Sequence, residues 1–349
     1  MSFLTRTLAQ QWFLALLFFM VGVGLLYPQP GMWVNRSIGT TPFVFALLFL
    51  TSMAFDISQL LAGFRKPAAI ALSLAGTYLL MPALLYAAAL PLGLDTPLGV
   101  GLVVMGAVPT TLASSAVWTR LAGGNTALCV AMVVISNALN CLAAPLVLKI
   151  TLGQVIDRPL LPIVKDLALI VLLPLALGQV AAWLAARKRK SKPNNHAGAP
   201  SVAWWIVPTS VLSRILLSFV VLQAASRAAQ EAGKNLSGGS ADTGPALTAG
   251  LVALLVLLCI AVHALAVALL YVLARGTGLA REDLIAVLMT GGQKTLPVGL
   301  ALLSQYFEGQ ALGVLSMVVY HAVQLIFDTF LIEVFKRGKS EIENRESKI

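Results

Sequence analysis

The residues best equipped for chemistry stand in one run, Thr290-Gly-Gly-Gln-Lys-Thr-Leu-Pro297, inside an apolar segment long enough to cross a bilayer. Gly291 and Gly292 let a helix unwind, and Pro297 removes an amide donor. Lys294 carries a charge that hydrocarbon tolerates only with a partner. It lies roughly eleven residues into its segment, too deep to reach water by extending its side chain. A second interruption, Pro109-Thr-Thr-Leu-Ala-Ser-Ser115, sits in another apolar segment and offers Thr110, Thr111, Ser114 and Ser115. Backbone freed at such breaks must line a protein or aqueous cavity. Half-helix N-termini bring partial positive charge there, and Lys294 adds a full one. The chemistry on offer is that of a positively charged polar site held at bilayer depth.

Two more segments carry polar residues on one face. Ser136, Asn137 and Asn140 lie in one, where bonding between helices competes with solute binding as the role. His321, Gln324 and Asp328 recur at spacings of three and four in the other, a stripe that must face the protein interior. Asp328 could pair with Lys294, although spacing alone leaves its role open. Tyr320 adjoins this stripe. His263 reads as a packing histidine and Arg214 as a residue near an interface.

These residues need membrane-spanning elements to hold them. The chain has 349 residues, 58% hydrophobic and 11% charged, with a mean hydropathy of +0.88. A soluble chain is about one quarter charged, so an all-α integral membrane protein is the reading. Ten apolar stretches qualify as spans: Trp12–Tyr27, Ile38–Phe55, Pro67–Leu90, Thr96–Leu121, Asn125–Leu152, Leu160–Ala186, Trp204–Ala225, Leu247–Ala274, Asp283–Phe307 and Gln310–Phe335. The first follows Arg6 and is read as uncleaved, because Tyr27-Pro-Gln-Pro-Gly31 offers no small-residue cleavage site. Arg187–Ser201 is a basic linker and Ser226–Pro245 a Gly/Ser/Ala-rich loop, both expected to be mobile. From Lys336 onward the chain is charged and expected to be disordered. One transmembrane domain thus covers 1–336, with a cytoplasmic tail at 337–349.

With the N-terminus inside, the cytoplasmic side holds sixteen Lys and Arg and the outer side six, with Arg214 and Lys294 within spans. That bias places both termini in the cytoplasm, in an inner membrane. Two units of five spans, about 8–153 and 158–336, would be inverted relative to each other. The breaks then fall in the fourth member of each, as in inverted-repeat transporters. The +10 charge follows this topology and implies no nucleic acid. Cys129, Cys141 and Cys259 have no paired spacing, so neither disulfide nor metal is implied. Three histidines without ligand spacing, and no nucleotide loop, argue against an enzyme, an ATP-driven pump or a bound cofactor.

At these breaks the sequence resembles the bile acid:sodium symporter (BASS) family, closest to its orphan seventh-member-like branch and bacterial relatives. The resemblance covers almost the whole chain. It is carried by Pro109-Thr-Thr-Leu-Ala-Ser-Ser-Ala-Val117, Ala122-Gly-Gly-Asn-Thr-Ala-Leu128, Gly291-Gly-Gln-Lys-Thr-Leu296 and Tyr320-His-Ala-Val-Gln324. It implies a panel domain, a core domain with two crossed broken helices, and alternating access. It also exposes departures. Met289 stands where sodium-coupled members carry a glutamate, and Lys294 where asparagine is usual. Cys129 and Val133 replace hydroxyl ligands, and Ser114-Ser115 replaces a Ser-Asn pair. No metal is therefore assigned; if sodium is used, Ser114, Ser115 and Gln293 are the side chains left to hold it. The resulting expectation is a transporter of a small organic anion without obligatory sodium coupling, Lys294 standing in for the cation. Its substrate-binding residues would be Thr110, Thr111, Ser114, Ser115, Asn137, Asn140, Gln293, Lys294, Thr295, His321 and Gln324. The partners are that anion and the lipid bilayer, with room for a homo-oligomer. The alternatives are a non-transporting regulatory membrane protein of the same fold and a sodium-coupled symporter with a remodelled site.

Overall fold

The computed structural model describes residues 12–53, 63–111, 113–153, 160–190, 206–237 and 248–346, and these are helical with no strand among them. Helix α1 (Trp12–Leu26) bends by 95° into α2 (Pro28–Ser37). Pro28 at the start of α2 fixes a new helical direction without losing a hydrogen bond that the old one needed. Then come α3 (Thr41–Met53) and α4 (Pro67–Ala75), which runs through a π-turn at Gly76–Leu80 into α5 (Met81–Ala89). Helices α6 (Pro97–Ala107) and α7 (Ala113–Leu121) flank the first break. Helix α8 spans Thr126–Leu152. Helix α9 (Leu160–Leu167) joins α10 (Leu173–Lys190) through a π-turn at Ala168–Leu172. After α11 (Ile206–Ser237) and α12 (Ala249–Gly276), α13 (Arg281–Gly291) and α14 (Leu296–Tyr306) flank the second break, and α15 (Val314–Glu346) closes the chain.

Among the described residues, seven helical stretches are long and apolar enough to cross a membrane, or up to eight if the bent α1–α2 pair is one span. Of the ten expected spans, the second is described as α3 from Thr41 to Met53, with 54–62 outside the described residues, and the fourth is divided at the expected first break, where Pro97–Ala107 stops. Three expectations need correction. The loop expected from Ser226 is helical to Ser237, because Ala, Arg, Gln and Glu dominate 224–232 and favour helix. The tail expected to be disordered continues α15 to Glu346. Its charges alternate in sign at helical spacing, beginning with a 3.0 Å ion pair between Glu333 and Lys336. In the basic linker, Arg187–Lys190 complete α10, while 191–201 and the N-terminal Arg6 lie outside the described residues.

Local sequence sets the helix starts. Thr96 caps α6, accepting from the Gly99 amide at 3.2 Å, with Pro97 in the first turn. Asn125 caps α8 in the same way, at 3.1 Å from the Leu128 amide. Helices α1, α2 and α3 pack on α11, and α3 also packs on α10. Helices α4 to α6, α8, α12 and α15 surround the broken pair α13–α14, whose spanning window is entirely buried. Large side chains such as Leu142, Ile150, Leu257, Val272 and Val334 point outward, as a lipid-facing surface requires.

Polar contacts between connections gather at two ends. At one, Asn125 bonds Asp283 at 2.8 Å, Lys66 pairs with Asp283 at 2.9 Å, and Arg281 bonds the Phe335 carbonyl at 2.6 Å. Asp283 raises the Lys66 pKa above its ordinary value, first by hydrogen bonding and then by its charge. At the other, Arg227 bonds Asn35 at 2.7 Å, Gln310 the Asp95 carbonyl at 3.1 Å, and Tyr306 Asp166 at 2.8 Å.

Small residues let the inner helices touch. A Cβ on Gly101 of α6 would lie 2.3 Å from both the Gly313 oxygen and Ser316 Oγ ahead of and within α15. Backbone cannot yield as a side-chain tip can. Gly101→Val should therefore cost about 1–3 kcal/mol or more, read as a lower melting temperature of the detergent-solubilised protein. An unchanged melting temperature would contradict this close approach.

Candidate functional site

Both breaks are present and they touch. Helix α6 ends at Ala107, and Val108 turns extended at φ −76°, ψ 160°. Residues 109–111 are non-helical. Helix α13 ends at Gly291, and α14 begins after Thr295, itself extended at φ −86°, ψ 124°, with Pro297 in the first turn. The Thr295 amide donates to the Pro109 carbonyl at 3.0 Å, so backbone bonds backbone where the interruptions meet.

Lys294 lies at this junction with no exposed surface. Its Nζ donates to the carbonyl oxygens of Thr77 at 2.6 Å, Gly106 at 2.7 Å and Val108 at 2.8 Å. Those carbonyls are free for clear reasons. Gly106 and Val108 sit at the C-terminal end of α6, where helical acceptors lose their partners and the dipole is negative. Thr77 lies in the π-turn that interrupts α4–α5. An ammonium has three N–H donors, and all three are spent here. Lys294 therefore acts at the junction through its field, leaving no hydrogen for a solute. Its own peptide is clamped by Gln324, which accepts from the Lys294 amide at 2.9 Å and donates to the Lys294 carbonyl at 2.8 Å. The same Gln324 amide meets His321 Nδ1 at 2.9 Å.

Gln293 joins the breaks through its side chain. Its Oε1 accepts from Ser114 at 3.1 Å and Ser115 at 2.8 Å. Its Nε2 donates to Asp328 Oδ2. Thr110 lies 3.3 Å from Ser115 between hydroxyls, and its amide donates to Ser136 at 3.1 Å. Asn137 donates to the Thr110 carbonyl at 3.2 Å, and Ser114 reaches Thr111 at 3.1 Å. Of the residues singled out from the sequence, Thr110, Thr111, Ser114, Ser115, Asn137 and Gln293 thus form one network. Lys294, His321 and Gln324 form the adjoining one, and Thr295 joins the breaks through its amide on Pro109. Asn140 bonds none of them. Its amide, Asn137 Oδ1 and the Thr77 hydroxyl are buried without a protein partner.

Two readings change. Asp328 pairs with His263 at 2.9 Å rather than with Lys294. His263 is therefore a hydrogen-bond partner of a buried carboxyl group and not mere packing. Its Nδ1 lies 3.2 Å from the Tyr320 hydroxyl, which also bonds the Gly292 carbonyl at 3.2 Å. One signal in the sequence pointed this way: two titratable groups of opposite type lay deep in apolar spans, where each needs a partner.

Residues 11–337 match the SBF-like CPA transporter family. Over 257 residues the chain is 33% identical to the probable sodium/metabolite cotransporter BASS4, chloroplastic, of Oryza sativa subsp. indica, covering 70% of this chain but 56% of that relative. It is 29% identical over 316 residues to the uncharacterized protein PA2026 of Pseudomonas aeruginosa, covering 88% and 86%. With the rat sodium/bile acid cotransporter 7 it shares 22% over 244 residues, covering 68% and 64%.

Replacing Lys294 with Met would strand three buried carbonyls, each costing about 1–3 kcal/mol. Lys294→Met should accordingly lower the melting temperature sharply, and more than His321→Ala, which removes one acceptor. Equal stability of Lys294→Met and wild type would show that the ammonium does not hold these carbonyls.

Proposed function

Since the chain belongs to the SBF-like CPA transporter family, we propose that it is a secondary transporter that moves a small organic anion by alternating access, without obligatory sodium coupling. It is a multi-pass helical membrane protein. The observation that carries the finer reading is the Lys294 ammonium enclosed by the Thr77, Gly106 and Val108 carbonyls beside the meeting breaks. An ammonium at that point supplies the positive field an anion needs, at a depth where charge is weakly screened. Asn137, Asn140 and the Thr77 hydroxyl keep buried polar atoms without a partner among the described residues, and these would bond the solute directly. Thr110, Thr111, Ser114, Ser115, Gln293, Thr295, His321 and Gln324 would shape the rest of the site.

Sodium fits poorly here. Where the family resemblance implies its ligands, the chain has Met289, Val133 and Cys129, buried and without side-chain oxygen. A hard cation needs several oxygens. The junction's free carbonyls are taken by Lys294, and Gln293 Oε1 is taken by two serine hydroxyls.

Ten crossings in two inverted units, about 8–153 and 158–336, within one domain remain our reading of the topology. The segregation of 66, 125, 281–283 and 335 from 35, 95, 166, 227–231 and 306–311 supports it, because alternate connections share an end. The charge bias assigns the first end, and both termini, to the cytoplasmic side of an inner membrane.

A second reading, a sodium-coupled symporter, draws on the relatives' printed names. Proteoliposomes separate the two. With sodium replaced by choline, saturable uptake of an organic anion such as taurocholate should persist within roughly twofold. Uptake that disappears in choline would establish the second reading. Uptake that never saturates would indicate a passive pore.

A further inference from the structure

Between the broken helix and α15 lies a buried titratable pair that binding of an anion does not require. His263, midway along α12, and Asp328 of α15 have side chains 1% and 2% exposed, with Nε2 2.9 Å from Oδ1. The other Asp328 oxygen accepts from Gln293, which in turn receives Ser114 and Ser115. The other His263 nitrogen lies 3.2 Å from the Tyr320 oxygen, which is 3.2 Å from the Gly292 carbonyl. One unbroken chain of hydrogen bonds therefore runs from the Gly292 carbonyl, at the start of the second break, to the hydroxyls of the first.

Proton counting along that chain leaves two arrangements. Tyr320 has one hydrogen, and the Gly292 oxygen can only accept. If Tyr320 donates to Gly292, Nδ1 must carry a hydrogen to donate to Tyr320. One further proton must then lie between Nε2 and Oδ1. Three hydrogens are held, and the His263–Asp328 pair is neutral overall. If Tyr320 instead donates to Nδ1, only Nε2–H remains, donated to an ionised Asp328. Two hydrogens are held, the pair bears one negative charge, and the Gly292 carbonyl loses its donor. The two arrangements differ by one proton, released to or taken from water, and by a rotation of the Tyr320 hydroxyl.

We propose that His263 and Asp328 form a proton-binding site whose proton is the coupling ion, with Tyr320 reporting its occupancy to the unwound backbone at Gly292. An isolated negative charge is costly in a dry interior. The proton is therefore held while the site is closed and lost only where water reaches it. One proton with one monovalent anion is also electrically neutral cargo. The titratable groups around the pair are Tyr320 on α15 and Cys259 one turn away on α12. His321 and Lys294 lie at Gln324, with the Lys294 ammonium directed at Thr77, Gly106 and Val108. The coupling role rests on the transport reading; the proton site does not.

The test starts with the proton itself as probe. Wild-type protein in nanodiscs, with ring-15N histidine, is followed by NMR and by infrared absorption of carboxyl groups over about pH 4–9, where imidazole and carboxyl groups titrate. His263 and Asp328 signals should change together at one midpoint, as a coupled pair must. Asp328→Asn keeps both hydrogen bonds, its amide N–H reaching a neutral Nε2 and its oxygen accepting from Gln293. It should fold like wild type and lose the step, as should His263→Gln. In proteoliposomes, an opposing pH difference of one unit should change taurocholate accumulation roughly tenfold for wild type and leave Asp328→Asn indifferent. Signals constant over the range, or a step that survives in Asp328→Asn, would overturn the proton site whether or not uptake occurs. Wild-type accumulation indifferent to the pH difference would overturn the coupling alone. A titrating pair in a protein without saturable uptake would overturn the transport reading and leave the site standing.

Discussion

A chain that leaves the helical conformation inside a bilayer exposes carbonyls and amides that lipid cannot bond. Everything at the centre of this protein answers that constraint. The end of α6 and the π-turn at Gly76–Leu80 release carbonyls toward one point, and the Lys294 ammonium meets three of them there. The match is one of number as well as charge, three donors to three acceptors. An arginine would present a planar fork that cannot converge on three oxygens from one side. Lys294 thus satisfies carbonyls released at the first break while belonging to the second.

The amide side chains extend the same logic. Gln324 replaces the helical bonds that Lys294's peptide gave up, one as acceptor and one as donor. Gln293 has its orientation fixed at both ends, because the Asp328 oxygen facing its Nε2 accepts and the serines donate to its Oε1. Such networks are worth most when every member is satisfied, and they cost most when one is not. Asn140 and the Thr77 hydroxyl stand out against this economy, since they are buried polar groups that the protein does not bond. Asn137 Oδ1 is left in the same way, and on the transport reading a solute's own polar groups would bond these atoms.

The breaks were legible in the sequence because proline, paired glycines and a lysine are each at odds with an unbroken helix running through lipid. Thr110, Ser115, Gln293 and Gln324 were legible for the same reason, standing beside or facing those breaks. The 95° bend after Leu26 was not, since Pro28 reads equally well as the end of a span and as the start of a new helix. Helical continuation past Ser226 and Lys336 was hidden by polarity, which marks exposure to water and says little about backbone conformation. Helical periodicity put Asp328 on the right face yet could not name its partner. His263 is 65 residues away on another helix, and only packing brings their side chains to 2.9 Å.

The two charge-bearing groups near the junction differ in one respect that orders the whole mechanism. The Lys294 charge is tethered to the chain and consumed by carbonyls, so it can attract an anion but cannot leave with it. A transporter with only a fixed charge would bind its solute and have no gradient to draw upon. On the proposal above, the His263–Asp328 pair would supply what is missing, a charge that can be gained and lost from the same network. Its route to the junction runs through Tyr320 to Gly292 on one side and through Gln293 to Ser114 and Ser115 on the other. On that proposal a proton arriving at the pair changes hydrogen bonding at the second break, through Tyr320 and Gly292, while the bonds from Gln293 to Ser114 and Ser115 at the first are kept.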